Sequence, residues 1–347
     1  MTPFAYLRPA TLDEAIGAWE PGAAYLAGGT NLVDLMKTGT LRPAKLIDLA
    51  RLPGLDAIAT LEDGSVRVGA LVRNADLAHD ITFAAQFPMV AEALLSGASG
   101  QLRNAATVGG NLLQHPRCAY FQDPLSACNR RAPGSGCDAR DGDNAALAVM
   151  GWSEACIATS ASDFCVPLAA LDAVVETTGP AGAREIPFAE LHRLPGDSPE
   201  RATALGPGEL IVALRLPAAA SAFRAHARYL KLRERTSFAF ALVSAAAALR
   251  LDRGRIAEAR LALGAVAAKP WRSREAEAML AGAAPAPELF ARAAAVALSG
   301  ATPSGANAHK IELARRTAAR ALALAAAGTP ARMPALPASP FGDLAHV

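Results

Sequence analysis

The chain has 347 residues, enough for two or three domains with cores of their own. A formal net charge of +2 gives no electrostatic footprint for nucleic acid, and no apolar run approaches the ~20 residues a membrane helix needs. Five cysteines are too few for a disulfide scaffold, and their odd number excludes full pairing. The opening Met1-Thr2-Pro3-Phe4-Ala5-Tyr6 has neither the basic nor the apolar segment of an export leader. By its own sequence the chain is expected in the cytoplasm, with the periplasm open to it by co-export with a partner.

In chain order, Thr11-Leu12-Asp13-Glu14 has the form of a capping box and predicts a short helix to about Trp19. Residues 23–27 read as a buried strand that ends in Gly28-Gly29-Thr30-Asn31, with a helical turn over 32–37. Residues 44–49 and 65–70 give two further strands, the second with a period of two. These units predict one small α/β lobe over 1–57 and a second from 58 to 176. Within 75–101, Leu77, Ile81, Phe87, Val90, Ala93 and Leu94 carry helical spacing. A second glycine turn, Thr107-Val108-Gly109-Gly110-Asn111, follows and reads as a strand-turn.

Periodicity is then lost from 115 to 156, where Arg, Asn, Asp, Gly and Pro dominate; a stretch of that length inside a compact domain is either stapled or disordered, and the cysteines offer a staple. Regular structure resumes at 164–171, and 173–177 reads as a strand. Residues 177–328 hold strands at 210–216, 225–232, 239–251 and 255–263, then helices near 272–282, 285–299 and 305–327. Strands followed by helices predict an α+β domain. The Pro-rich residues 329–347 read as an extended tail.

Two features carry chemistry. Ala27-Gly28-Gly29-Thr30-Asn31 after a strand lets backbone N–H groups approach an anion, because glycine has no Cβ to block it. One such turn is weak evidence. Two of them fit a pyrophosphate held from both sides, as in a dinucleotide lying between two lobes. Neither has the G-x-G-x-x-G spacing of a nicotinamide site.

The second feature is the cysteines, all five of which fall between 118 and 165. Cys118, Cys128, Cys137 and Cys156 lack the close pairs of zinc ribbons and ferredoxins. Arg117, Arg130, Arg131 and Arg140 share the loop and offer charge to offset thiolates, while Gly134 and Gly136 flank Cys137. An iron–sulfur cluster, a zinc site, free thiols and redox disulfides all stay open on this evidence. His115 is a further candidate ligand. Cys165 sits in an apolar run with Val166, Leu168 and Leu171, where a thiol behaves as a small hydrophobe.

Leu26-Ala27-Gly28-Gly29-Thr30-Asn31-Leu32 and Leu102-Arg103-Asn104-Ala105-Ala106-Thr107-Val108-Gly109-Gly110-Asn111, with Ser162-Asp163 and Lys231, resemble one family. It is the FAD-binding medium subunit of molybdenum hydroxylases, the xanthine dehydrogenase and aldehyde oxidoreductase family, and the resemblance runs through most of the chain. It implies an α+β fold in which two small α/β lobes form a PCMH-type FAD-binding domain, followed by an α+β C-terminal domain. FAD is then expected between the lobes, with Leu26, Ala27, Gly28, Gly29, Thr30, Asn31, Leu32 and Val33 along its pyrophosphate and ribityl chain. The resemblance puts Thr107, Gly110 and Asn111 on the other side of the phosphates, Asp163 at the adenosine end and Lys231 at the isoalloxazine edge.

Arg117-Cys118, Ala127-Cys128-Asn129, Gly136-Cys137-Asp138 and Glu154-Ala155-Cys156 resemble the bacterial periplasmic-type aldehyde oxidoreductase branch, whose loop holds a [4Fe–4S] centre. That implies Cys118, Cys128, Cys137 and Cys156 as ligands, with Cys165 the alternative fourth, and Asp123 against the flavin. The implied function is electron transfer in a heterotrimer: aldehyde oxidation at a molybdenum cofactor on a large subunit, [2Fe–2S] centres on a small subunit, and an external acceptor. No catalytic acid, base or nucleophile is expected in this chain. The alternatives are the flavin subunit of a hydroxybenzoyl-CoA reductase-type enzyme, a stand-alone flavin oxidase of the same fold, and a zinc-stapled binding module.

Overall fold

The structure is a computed structural model and describes residues 1–331. The expected tail at 329–347 therefore lies outside the described residues from 332 onward.

Three sheets organise the described residues. The first contains β1 (Ala5–Leu7), β2 (Ala23–Leu26) and β3 (Lys45–Asp48) in the order β1-β3-β2, with both pairings parallel. Parallel neighbours need crossovers, which the helices Leu12–Gly17 and Leu32–Lys37 supply. The first is capped by Thr11, whose hydroxyl accepts the Glu14 N–H at 3.2 Å. The Glu14 carboxylate reaches back one residue further than a standard capping box, to the Ala10 N–H at 2.8 Å. Ala15, Ile47 and Leu49 form the small core beneath.

The second sheet is antiparallel, with β4 (Ile58–Thr60), β5 (Val66–Gly69), β6 (Val174–Gly179), β7 (Gly182–Pro187) and β8 (Leu210–Leu216) in the order β4-β5-β8-β6-β7. The expected boundary at 176/177 falls inside β6 and is corrected. β8 lies between β5 and β6, with Leu216 opposite Val66 and Leu214 opposite Val175, so the second lobe reaches residue 216. Helices Asn74–His79, Pro88–Ser96 and Cys165–Ala170 share its core of Val68, Leu77, Phe83, Phe87, Leu168 and Leu214.

The third sheet holds β9 (Ala227–Leu232), β10 (Val243–Asp252), β11 (Arg255–Gly264) and β12 (Trp271–Arg272) in the order β12-β11-β10-β9, again antiparallel. The alanine run of β10 has a packing reason. Successive strand residues point to opposite faces, so Ala245, Ala247 and Leu249 join the core under helices Pro287–Ala297 and His309–Ala327. Ala246 and Ala248 face the core of the second lobe. Small side chains on both faces let the last domain press closely against its neighbour.

The irregular stretch 115–156 contains a short helix, Ala119–Gln122, a 3-10 turn, Asp138–Arg140, and two isolated antiparallel bridges, Cys128 with Cys137 and Ser153 with Cys156. Its C-terminal part is anchored by the last domain. The fully buried Lys310 donates to the carbonyls of Ala146 (2.6 Å), Leu147 (2.9 Å) and Ala265 (2.8 Å). Asn307 Nδ2 adds bonds to the Leu147 and Ala148 carbonyls at 3.1 and 3.0 Å. Three acceptors match the three protons of an ammonium, while burial pulls the Lys310 pKa down to about 7. No helix among the described residues is long and apolar enough to cross a membrane.

Candidate functional site

A cleft of about 830 Å³ opens between the lobes and the last domain. Leu26, Ala27, Gly28, Gly29, Thr30, Asn31 and Leu32 line one wall. Thr107, Gly110 and Asn111 line another, and Asp163 and Lys231 also face the space. Of the predicted residues, Val33 and Asp123 are not part of the lining. Val33 supports the loop from behind: its Cγ2 lies 3.1 Å from where a Cβ on Gly29 would sit. Asp123 is spent on its own turn, accepting the Leu125 N–H at 3.0 Å and the Ser126 hydroxyl at 2.7 Å.

The first glycine loop leaves β2 with Gly29 at φ +71°, a conformation open to glycine without strain. Gly28 is required for a different reason. A Cβ there would stand 2.0 Å from the Ala105 carbonyl oxygen, so this loop packs directly on the segment leading to the second glycine motif. Val33 and Leu35 donate to the Gly29 and Asn31 carbonyls, both at 3.1 Å. Among the described residues, the backbone N–H groups from Ala27 to Leu32 have no acceptor. Asn31 Nδ2 is also buried without a partner, while its Oδ1 accepts the His115 N–H at 2.8 Å.

The second motif differs from its sequence reading. It is a corner between two helices, Gly100–Ala105 and Val108–Leu112, and not a strand-turn. Thr107 caps the latter, its hydroxyl accepting the Gly110 N–H at 3.2 Å. The N–H groups of Val108, Gly109 and Asn111 are bonded to the carbonyls of Val72, Ala70 and Thr107 at 2.9, 2.8 and 2.9 Å. The motif therefore offers a shaped wall with few free donors.

Asp163 and Lys231 form a buried ion pair of 2.7 Å, with side chains 8% and 1% exposed. Lys231 also donates to the Ser96 carbonyl at 3.1 Å, and Asp163 accepts the Tyr229 hydroxyl at 2.5 Å. Burial and the adjacent carboxylate push the Tyr229 phenol well above its ordinary pKa, so it stays a neutral donor. The direct contact puts the two residues expected at the adenosine end and the isoalloxazine edge at one place on the cleft wall.

Beside the cleft, Cys118, Cys128, Cys137 and Cys156 line a second, small cavity of about 10 Å³ together with Arg130 and Phe121. All four are free, and all but the half-buried Cys137 are buried. Burial pushes the Cys118 and Cys137 thiols up, and takes Cys156 to about 11 despite the nearby Arg130. The expected basic surround is thus largely absent. Arg117 lies over the Phe240 ring at 4.8 Å, Arg131 donates to the Tyr120 and Phe121 carbonyls at 2.9 and 2.6 Å, and Arg140 pairs with Glu154 at 2.8 Å. Among the described residues, no group of three or more His, Cys, Asp or Glu side chains has a geometry that holds a metal ion.

Cys165 is elsewhere, fully buried in the core of the second lobe, with its thiol pushed to about 12. His115 lines the cleft and stacks on Phe121, ring centroids 5.4 Å apart at 18°. Burial, with Arg130 and Arg117 nearby, lowers its pKa to about 4, so the imidazole is neutral.

The architecture has close relatives. Residues 2–219 match the family model described as the FAD binding domain in molybdopterin dehydrogenase, and 228–327 the CO dehydrogenase flavoprotein C-terminal domain. The chain belongs to the FAD-binding medium subunits of the xanthine dehydrogenase family. It is 48% identical over 332 residues to the aldehyde oxidoreductase FAD-binding subunit PaoB of Escherichia coli (strain K12), covering 94% of this chain and 99% of that one. It is 26% identical to the glyceraldehyde dehydrogenase medium chain of Sulfolobus acidocaldarius, covering 79% of each. Among solved structures, the reconstituted CO dehydrogenase from Oligotropha carboxidovorans superposes with a TM-score of 0.75 at 26% identity, over 95% of this chain and 100% of that chain.

As an FAD-binding medium subunit the chain is part of an oxidoreductase, and the gap between its two matched regions, residues 220–227, falls at the connection from β8 to β9 where the sheets also divide. Sequence reasoning missed the segment between β9 and β10. Glu234, Arg235, Phe238 and Phe240 from it line the cleft, and Phe238 and Phe240 are 55% and 51% exposed. Two phenylalanines in a polar connection just after Lys231 were the available signal.

Proposed function

We propose that this subunit holds FAD in the 830 Å³ cleft and serves as the electron-transfer chain of a molybdenum-dependent aldehyde oxidoreductase. The observation that carries the cleft reading is the run of unpaired N–H groups from Ala27 to Leu32, with the unpartnered Asn31 Nδ2 beside it. Consecutive backbone donors with no acceptor of their own, in a loop that lines the cleft, suit a pyrophosphate. Leu26 to Leu32 bind the anion, Thr107, Gly110 and Asn111 shape the opposing wall, and Asp163 with Lys231 closes a third side. Bound FAD supplies a centre that takes up and releases electrons singly or in pairs. No acid, base or nucleophile of this chain has to act for that chemistry.

The aldehyde as substrate class rests on likeness to PaoB across nearly the whole of both chains. The same likeness supports a heterotrimer, with aldehyde oxidation at a molybdenum cofactor on a large subunit and [2Fe–2S] centres on a small one. An external acceptor then draws electrons from this chain.

The four cysteines are proposed to hold a [4Fe–4S] cluster. Their convergence on one cavity, with Arg130 beside them, supports it. Such a cluster would add a one-electron centre and cross-link the irregular loop.

Anaerobic purification with absorption spectra and flavin, iron and sulfide analysis tests both parts. About one flavin and about four irons per chain are expected. Flavin without iron leaves the cleft reading and removes the cluster. Zinc without flavin overturns both.

A further inference from the structure

The cleft and the cysteine cavity are separated by one layer of side chains. His115 lines the cleft, Phe121 lines the cysteine cavity, and their rings stack. On the cleft side the stack is tied to the glycine loop, because the His115 N–H donates to Asn31 Oδ1 at 2.8 Å. That bond leaves the Asn31 amide nitrogen buried and unpartnered on the cleft wall.

On the other side, Cys118 is the cap residue of the short helix that carries Phe121. Arg131, three residues after Cys128, holds the Phe121 carbonyl at 2.6 Å. A second contact crosses the same layer: Leu35, on the helix that follows the glycine loop, packs in one cluster with Cys118, Phe121, Cys128 and Cys156.

We propose that His115 and Phe121 are positioning residues that couple the two sites, so that filling the cysteine site orients Asn31 and tightens FAD binding. The inference rests on the proposed cofactors and adds to them an energetic link. Without a cluster, the helix at Cys118 is held by its packing and by bonds from Arg131 and Thr40 to its carbonyls, with no tie between its cysteine and the other three. With the four thiols fixed, the stack is fixed, and Asn31 presents its amide to the cleft without an ordering cost at the moment FAD binds. Linkage makes the effect reciprocal: bound FAD tightens the hold of the cysteine site by the same factor.

The test uses the full chain, stripped of cofactors and then reloaded anaerobically with iron and sulfide or left without them. The FAD dissociation constant is read from flavin fluorescence in each state, alongside iron content. Wild type is expected to bind FAD about tenfold more tightly when loaded, within the ordinary range of site-to-site coupling. Phe121→Leu keeps an apolar side chain and removes the stack, so it should still bind iron and FAD, with the ratio falling towards one. His115→Gln should do the same.

An unchanged FAD affinity on loading of wild type overturns the coupling while leaving both cofactors in place. A wild-type ratio that survives in Phe121→Leu and His115→Gln overturns the route through the stack. Absence of flavin or iron uptake by wild type is a different failure, which overturns the cofactor reading and the coupling with it.

Discussion

The two glycine motifs look alike in sequence and do opposite things. The loop from Ala27 to Leu32 keeps its N–H groups unpaired, while Val108 to Asn111 bond theirs within the protein. The second motif is also braced from behind. Ser162 donates to Asn111 Oδ1 at 2.8 Å, and next to it Asp163 is locked to Lys231 of the last domain. One wall is therefore built to receive a ligand and the other to stand still. A glycine pair after a short element does not by itself say which of the two it is.

The largest effect should come from breaking the brace. Lys231→Met leaves the Asp163 carboxylate buried without its cation, and a loss of roughly 3–5 kcal/mol in denaturant unfolding is expected. A loss near zero would mean the second wall stands without the last domain. Gly28→Ala comes next, since a Cβ has 2.0 Å to the Ala105 oxygen and the loop must move. Overpacking of that kind costs about 1–3 kcal/mol, and the flavin-to-protein ratio should drop with it.

The braced lobe also has an acid limit. Arg184, burial aside, holds the Glu209 carboxylate down from its ordinary 4.5 to about 2, with help from the Gly206 N–H and the Thr177 hydroxyl. A carboxyl whose folded pKa is depressed stabilises fully above its unfolded value and loses that contribution as pH falls through the folded one. The melting temperature of wild type should therefore fall more steeply than that of Glu209→Gln between about pH 4.5 and about 2. Parallel curves would show that the Arg184 contact adds nothing.

Smaller effects separate the motifs most cleanly. Thr107→Ala removes a helix cap, expected at about 1 kcal/mol with FAD affinity nearly intact. Gly110→Ala meets only the Thr107 hydroxyl oxygen at 3.1 Å, so a change within ~0.5 kcal/mol is expected. Loss of flavin from Gly110→Ala would make the second motif a cradle as well.

What was legible in the sequence follows the range of the interactions. β2, β3 and β5 were readable because strand patterns and glycine stops are local, and Thr11 and Glu14 announced their helix. The place of β8 between β5 and β6 was not, because its pairing with Val66 to Gly69 spans more than a hundred residues of chain. For the same reason Asp163 and Lys231 read as separate site residues when they are partners 68 positions apart. The arginines of the cysteine loop were visible as composition, but composition carries no direction. Only Arg130 faces the thiols, and the others serve Phe240, Glu154 and backbone carbonyls.

Lys310 has a consequence for the order in which the protein is made. It closes on the Ala146 carbonyl, 164 residues earlier in the chain, and together with Asn307 it supplies hydrogen bonds the cysteine loop does not make for itself. A ribosome adding about 5–20 residues per second reaches Lys310 roughly ten to thirty seconds after that loop has emerged. For that interval residues 146–148 lack the donors that hold them in the finished fold. The cluster proposed for the loop is thus expected to load on the completed chain, with translation setting the earliest moment.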